Sequence, residues 1–309
     1  KYTSGIFTNL NGRASGWTRV FGPFKGINLE GDMFINKANL KINATNVDYH
    51  VLNDSVILRP GKIIFKNARI YDKYGRPNLS SHYGVVNGYL QHHYLSQMTY
   101  NIDVDIYNIL GYDEKDFGDN VFCGTAYATG KIKVVGEPGK LNINIDATPE
   151  KNTLFMYNLS SPTALTDNQF ITYKKTNAAD ENSNKEDVYI KETTSDINLN
   201  FNLNLKPDAT MKILMDPKTG DYISLNGYGN IRANYYNKGK FTMFGTYKVD
   251  HGIYKLSLQD VIRKDFTFNP GGTIVFGGNP IEADLNLQAV YTVPSVSLND
   301  LSARSTFNQ

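Results

Sequence analysis

The sequence predicts an all-β fold with very little helix. Between Ile197 and Leu205, five large apolar residues alternate with four asparagines without interruption. Side chains in a strand point to opposite faces in turn, so this segment has one apolar and one polar face. Runs of the same type recur about every ten residues between turn residues, as in all-β proteins. Tyrosine (21) and phenylalanine (16) are also abundant, which is typical of strands.

Composition excludes several classes of protein. The formal net charge of +2 over 309 residues is too small, and the basic residues are too scattered, to indicate a nucleic-acid-binding surface. Cys123 is the only cysteine, so an internal disulfide or a cysteine metal cluster is excluded, and we predict a small packed side chain there. No apolar run approaches the ~20 residues of a membrane helix. The chain opens at Lys1 without a signal peptide, and we interpret it as part of a longer protein.

The first half of the chain reads as successive strands. Alternating apolar residues predict strands over 40–44, 47–51, 63–71 and 102–106, with Asp72 to Gly75 as a turn after the 63–71 strand. The pair Asn87-Gly88 predicts a hairpin turn. Residues 129–138 repeat the pattern of residues 15–23, with two glycines six apart before an alternating strand. We therefore expect one continuous β-structure over residues 1–309 with repeat units 1–115 and 116–196.

The second half alternates polar connections with strands. Residues 174–191 are polar and charged, without apolar periodicity, and we predict a loop there. Strands are expected over 211–215, 223–233, 241–249, 253–258, 266–268, 273–276 and 283–291, with residues 294–309 as a tail. Glycine, asparagine and proline fill the breaks between them.

Enzyme motifs are not found in the sequence. Nucleophile elbow, metalloprotease, P-loop and dinucleotide patterns do not occur, and Gly227-Tyr-Gly229 lacks the third glycine of a nucleotide loop. His92 and His93 would face opposite sides of a strand and cannot easily share a metal. Asp103 and Asp105 fit a solvated strand face better than an acid–base pair. We predict that the protein is not an enzyme and uses no cofactor or metal.

The apolar stripes leave three architectures open. In a β-sandwich, two sheets cover each other. In a transmembrane barrel, the stripes face lipid. In an open sheet curled into a trough, they line a groove suited to an elongated apolar ligand such as an acyl chain.

The last third of the chain carries a family resemblance. A glycine-punctuated hairpin (245–258) is followed by a basic-then-aromatic turn (262–268), a Gly-Gly strand and Asn-Pro turn (271–280), and an alternating strand ending in Ala-Val-Tyr (283–291). This order resembles the TamB C-terminal domain, of the translocation and assembly module and the AsmA-like, bridge-like lipid-transfer superfamily. The likeness is strongest over 197–293, and the asparagine and tyrosine content is similar to a Bacteroidetes-type member. The family's N-terminal inner-membrane anchor and much of its final segment are not in this sequence.

The resemblance implies an elongated, curled β-sheet trough, like a taco, with an apolar inner groove. It implies a periplasmic location, an inner-membrane anchor in the full-length protein, contact with membranes at both ends, and a TamA-like outer-membrane barrel as partner. The function would be to carry phospholipid, through its acyl chains, to the outer membrane. Alternatives are a scaffold for outer-membrane protein assembly by strand pairing without lipid, and a structural β-sandwich binding module.

Site residues follow from that implied function. The expected groove lining is Leu141, Ile143, Ile145, Ile197, Leu199, Phe201, Leu203, Leu205, Met211, Ile213, Met215, Ile223, Leu225, Ile231, Leu285, Leu287 and Ala289. The expected contacts with the barrel partner are Val293, Val296, Leu298 and Leu301.

Overall fold

Strands form almost all of the regular structure. The computed structural model describes residues 7–24, 26–94, 96–118, 122–159, 196–216, 219–237, 239, 241–258 and 262–293. Strand accounts for 76% of the structure and helix for 2%. Over these residues the helical part is two 3₁₀-helices, Asn43–Thr45 and Pro280–Glu282. Within the described ranges, no helix is long and apolar enough to cross a bilayer. The prediction of an all-β chain with very little helix is confirmed.

The first seven strands form an antiparallel meander, in which each strand pairs with the next one in sequence. A tight turn joins β3 to β4 at Pro60-Gly61, where the glycine adopts a positive φ of 72°. The strands are β1 (Phe7–Phe21), β2 (Asn28–Ile42), β3 (Val47–Arg59), β4 (Lys62–Tyr71), β5 (Tyr83–His93), β6 (Ser96–Glu114) and β7 (Phe122–Glu137).

The later strands extend the same sheet, and several lie end to end along one long neighbour. One such pair follows β7, another precedes β12, and a third follows β13. They are β8 (Lys140–Pro149) and β9 (Leu154–Asn158), then β10 (Asp196–Leu205) and β11 (Thr210–Asp216), then β12 (Asp221–Tyr236), β13 (Thr242–Leu258), β14 (Ile262–Phe268) and β15 (Thr273–Gly278). The short β16 (Asp284–Asn286) and β17 (Ala289–Tyr291) pair with β15 and β14.

One step in the sheet is parallel. Strand β10 pairs with β8, and β11 pairs with β9, both in parallel register. A parallel pair cannot be closed by a hairpin, so the chain returns to the starting end of β8 before β10 begins. The predicted loop at 174–191 belongs to this connection and lies outside the described residues, as does the tail 294–309.

The sheet wraps on itself. Strands β3 and β6 are separated in the sheet by β4 and β5, yet the Tyr49 hydroxyl donates to the Leu110 carbonyl at 2.8 Å. The Asn46 amide likewise donates to the Asp113 carbonyl at 2.9 Å. Because pairing is continuous from β1 to β17, the described strands form one curled sheet instead of the two sheets of a sandwich. The predicted curled all-β fold is confirmed.

Glycines on the apolar face allow adjacent strands to approach closely. Gly88, in the middle of β5, has φ 128°, and a methyl group there would overlap the Asn101 carbonyl oxygen of β6. The predicted hairpin turn at Asn87-Gly88 is therefore wrong: this glycine serves close strand packing. The Asn87 side chain instead accepts a hydrogen bond at 2.8 Å from the N–H of Asn67, a bulge residue with φ 52°. The predicted repeat units remain a prediction.

Candidate functional site

Strand register brings many of the predicted groove residues together. The alternating residues of β10 share a face with those of β8 on one side and β12 on the other, because paired residues in neighbouring strands point the same way. Apolar rows therefore run across three strands that are far apart in sequence. The rows are Leu141 and Ile197; Ile143, Leu199 and Tyr235; Ile145, Phe201 and Ala233; and Ala147, Leu203 and Ile231, with Leu205 continuing β10 beside Gly229.

The apolar face of β10 is covered only in part. Each of its five apolar side chains keeps some exposure, and none is fully buried. Tyr235, beside Leu199, is 38% exposed. Leucine, isoleucine and phenylalanine in a sealed core are normally almost fully buried. The apolar side of β8 and β10, together with Tyr235 at the end of β12, therefore forms an accessible surface, which we call the open face. Ala147, Ile231 and Ala233 belong to the same rows but are buried.

The C-terminal strands close over a buried apolar core. Leu225 and Ile231 are 1% and 2% exposed and pack with Tyr247, Val249, Phe268 and Ile274. Burial and the nearby Asp250 carboxylate raise the pKa of the Tyr247 hydroxyl. The structure thus places two of the predicted lining residues, Leu225 and Ile231, in a buried cluster. We call these six residues the C-terminal core.

The remaining predicted residues lie at the margin of this core or outside it. Partly buried lining residues that pack against the C-terminal core are Leu205, Met211, Ile223 and Leu287, and Ile213 and Met215 are half-buried on β11. Leu285 on β16 is 65% exposed, and Ala289 on β17 is also exposed. Val293, the predicted barrel contact that the structure describes, is 51% exposed. Val296, Leu298 and Leu301 lie outside the described residues.

The open face continues into strands that were not assigned to the site. Ile102 on β6 lies opposite Val134 on β7, and Val134 lies opposite Ile143 on β8. Val104 and Ile132 extend the next row in the same way. The signal was present in the alternation of residues 102–106. These strands were not connected to β10 because local periodicity does not show which strands about 100 residues apart lie side by side in the sheet.

A buried carboxylate organises the 72–82 loop. Asp72 is fully buried and accepts hydrogen bonds from the N–H groups of Tyr74 at 2.8 Å, Gly75 at 3.0 Å and Leu110 at 2.7 Å. Its second oxygen also lies 3.1 Å from Nδ1 of His82. The Gly75 N–H further donates to the Asp72 carbonyl at 3.1 Å, which confirms the predicted turn. A buried charge is tolerated only with such compensation, so Asp72 anchors the loop to β6.

An ion pair adjoins this anchor. The Lys73 ammonium lies 2.6 Å from the Asp113 carboxylate, which also accepts from the Thr125 hydroxyl at 3.0 Å. Burial acts to raise the pKa of Asp113, but the hydrogen bonds from Lys73 and Thr125 outweigh it and lower the pKa. The hydrogen bond to Asp113 raises the pKa of Lys73. Burial, with a contribution from the Asp72 charge, raises the pKa of Tyr49.

The geometry defines a class of protein: a single curled β-sheet with one apolar face, which is accessible along β8 and β10 and buried at the C-terminal strands. A model of the TamB C-terminal domain matches residues 76–308. The chain belongs to the TamB C-terminal domain family. Searches of curated proteins and of solved structures returned no match.

Membership of this family supports some general statements about function. The family belongs to the translocation and assembly module and is one of assembly and transport proteins without enzymatic activity. Its members span the periplasm in the cell envelope and associate with outer-membrane assembly machinery.

Proposed function

We propose that this chain carries phospholipid between the inner and outer membranes, with acyl chains lying on the open face and a TamA-like barrel protein as partner at the outer membrane. The single observation that supports the proposal is the partial exposure of every apolar side chain on β10, in rows shared with β8 and β12. An exposed apolar surface is costly in water, and an acyl chain would cover it favourably. Rows that cross several strands also suit a long, thin ligand.

A photo-crosslinking experiment tests this function. The benzophenone amino acid p-benzoylphenylalanine is placed at Phe201, on the open face, in the protein expressed in cells. The matched control carries it at Tyr228 of β12, which is 52% exposed and points to the opposite, polar face beside Lys248. After irradiation, we expect phospholipid adducts by mass spectrometry at position 201 and few at 228.

Two outcomes would contradict the proposal. Equal labelling at both positions would mean that lipid contacts the protein nonspecifically. Protein adducts without lipid at position 201 would mean that another polypeptide covers the open face.

A free sheet edge favours a second candidate function, a scaffold that assembles outer-membrane proteins by strand pairing. Among the described strands β1 pairs with β2 alone, and its side chains from Thr8 to Val20 are all exposed. An unpaired edge offers backbone donors and acceptors to another strand. A barrel protein that co-purifies with the chain without lipid would support this function over lipid transport.

Cysteine crosslinking tests the barrel partner itself. The variant Asn286→Cys places a thiol on the exposed strand β16, with Cys123→Ser removing the native thiol. We expect disulfide or maleimide crosslinks to an outer-membrane barrel in intact cells, and none from Lys66→Cys, an exposed control on β4. Crosslinks solely to inner-membrane proteins would show that the opposite end faces the outer membrane.

A further inference from the structure

The polar side of the sheet also contains a concavity. It has a volume of about 860 Å³ and lies across β6, β7, β8, β10, β12 and the start of β13. Its lining takes three consecutive residues from each of five strands, with Phe244 from β13. In each triplet the outer two side chains lie on the polar face. The middle residue, such as Phe201, lies at the floor, and its side chain points to the opposite face because side chains alternate along a strand. We call it the polar cleft. None of the functions considered above uses it.

Charge in the polar cleft is balanced. The acidic side chains are Asp103, Asp105 and Asp146, and the basic ones are Lys131, Lys133 and Arg232. Two oppositely charged pairs are already formed, with Lys133 Nζ 3.1 Å from the Asp103 carboxylate and Lys131 Nζ 4.0 Å from that of Asp105. A phosphate or a metal ion requires an excess of one sign of charge. The cleft is therefore suited to an uncharged polar ligand.

A ladder of amides crosses the polar cleft. The Asn200 amide on β10 donates to the Asn144 side chain on β8 at 2.9 Å, and the Asn234 amide on β12 donates to Asn200 at 2.6 Å. Each amide can make more bonds than the ladder uses. The three residues repeat at the strand spacing of about 4.8 Å, close to the length of one sugar ring. A repeating hydroxylated polymer could thus meet the same contact on successive strands.

An exposed aromatic ring completes the arrangement. Phe244 on β13 lies opposite Arg232 at the end of the cleft and is 43% exposed. Hydroxyl recognition by amides and carboxylates, combined with stacking of an apolar ring face on an aromatic side chain, is the chemistry of carbohydrate binding. We infer that the polar cleft binds an extended, uncharged, β-linked oligosaccharide, with Phe244 as the stacking platform and Asn144, Asn200 and Asn234 as the hydrogen-bonding ladder.

Titration calorimetry with cellotetraose and with the tetramer of N-acetylglucosamine tests the inference on the purified 309-residue chain. We expect binding of at least one of them. Phe244→Ala should weaken it about tenfold or more, equivalent to 1.4 kcal/mol, whereas Phe244→Tyr should retain it. Phe34→Ala is the matched control, because Phe34 is equally exposed, at 45%, on β2 outside the cleft. Raising the salt from about 0.05 to 0.5 M should leave the affinity unchanged, since the ligand is uncharged.

Other results would overturn the inference. These are no binding of either saccharide at about 10 mM, binding unaffected by Phe244→Ala in a protein with native circular dichroism, or salt-sensitive binding of glycerol 3-phosphate in place of the sugars. The lipid proposal concerns the opposite face and is tested at Phe201, so either proposal can fail while the other stands.

Discussion

The same substitution at two leucines should distinguish an open apolar face from a sealed core. Leu225 is 1% exposed and packs within the C-terminal core. Leu199 lies on the open face between Ile143 and Tyr235. Leu225→Asp therefore places a carboxylate in the buried C-terminal core, whereas Leu199→Asp places the same group on an accessible apolar surface. Asn204→Asp, on the exposed polar side of β10, controls for the added charge.

The expected magnitudes differ severalfold. At Leu225 the variant loses packing worth about 2–5 kcal/mol and leaves a carboxylate without a partner in the core. The sum is comparable with a total stability of about 5–15 kcal/mol, so this variant should be largely unfolded. At Leu199 the carboxylate can reach water. The loss is then a fraction of the roughly 1.5–3 kcal/mol for burying a leucine, and we expect about 1–2 kcal/mol.

Urea denaturation with lipid extraction measures both consequences. The midpoint and slope of unfolding give the change in stability, and phospholipid recovered per protein molecule gives occupancy. Leu199→Asp should fold and lose bound lipid, while Asn204→Asp should match the wild type in both. If Leu199→Asp unfolds the protein as Leu225→Asp does, the face of β10 is a sealed core. If it folds and retains all its lipid, acyl chains do not lie at this position.

Three further predictions concern the Asp72 anchor, the close packing of β5 against β6, and acid stability. Asp72→Ala leaves buried N–H groups without an acceptor and should lower the free energy of unfolding in urea by more than about 3 kcal/mol, with Asp72→Asn intermediate. A nearly unchanged free energy of unfolding would refute the anchoring role of Asp72. Gly88→Ala places a side chain at a residue with positive φ, against a carbonyl oxygen of β6, and should cost more than about 2 kcal/mol of stability. The control Gly277→Ala, on β15, adds a methyl group in open space and should change stability by less than about 0.5 kcal/mol. Because the folded state lowers the pKa of Asp113, its pairing with Lys73 stabilises the fold above the unfolded pKa and is lost as pH falls below about 4. The stability advantage of wild type over Lys73→Met, measured by thermal denaturation, should therefore shrink in that range, and an unchanged difference at pH 3 would refute the assignment.

Local signals in the sequence were sufficient for individual strands. The alternation from Ile197 to Leu205 predicts β10 because an apolar period of two residues fits a strand and does not fit a helix. The turn at Asp72 was predictable for a similar reason: aspartate and glycine three residues apart favour a turn by their own side-chain and backbone chemistry. The buried state of Cys123 also agrees with the predicted small packed side chain.

Features that depend on contacts between distant strands were not predictable in this way. The strand predicted over 283–291 is divided into β16 and β17, and at the break the Asn269 N–H donates to the Gln288 carbonyl at 2.9 Å. Asn87-Gly88 has the local chemistry of a hairpin turn, but its glycine is required by the approach of β6. In both cases the competing partner lies on another strand, outside any local window.

The division between open face and sealed core has the same nonlocal origin. In the C-terminal part, Leu225 lies opposite Gly252 and Ile231 lies opposite Gly245. A methyl group added to Gly252 would approach Leu225 Cδ2 to 2.6 Å, and one on Gly245 would approach Ile231 Cδ1 to 3.2 Å. The large side chains therefore lie over the glycines, and other side chains of the C-terminal core fill the remaining space and seal this part of the face.

On the open face the corresponding row has no glycine. Ile143, Leu199 and Tyr235 stand side by side as three large side chains, which cannot fold over one another in this way. The strands of this region therefore present a broad apolar surface that is accessible to solvent. Whether an apolar side chain of a perfectly alternating strand is buried or accessible thus depends also on the residues of the neighbouring strands. Periodicity within the strand alone, as in β10, cannot reveal it.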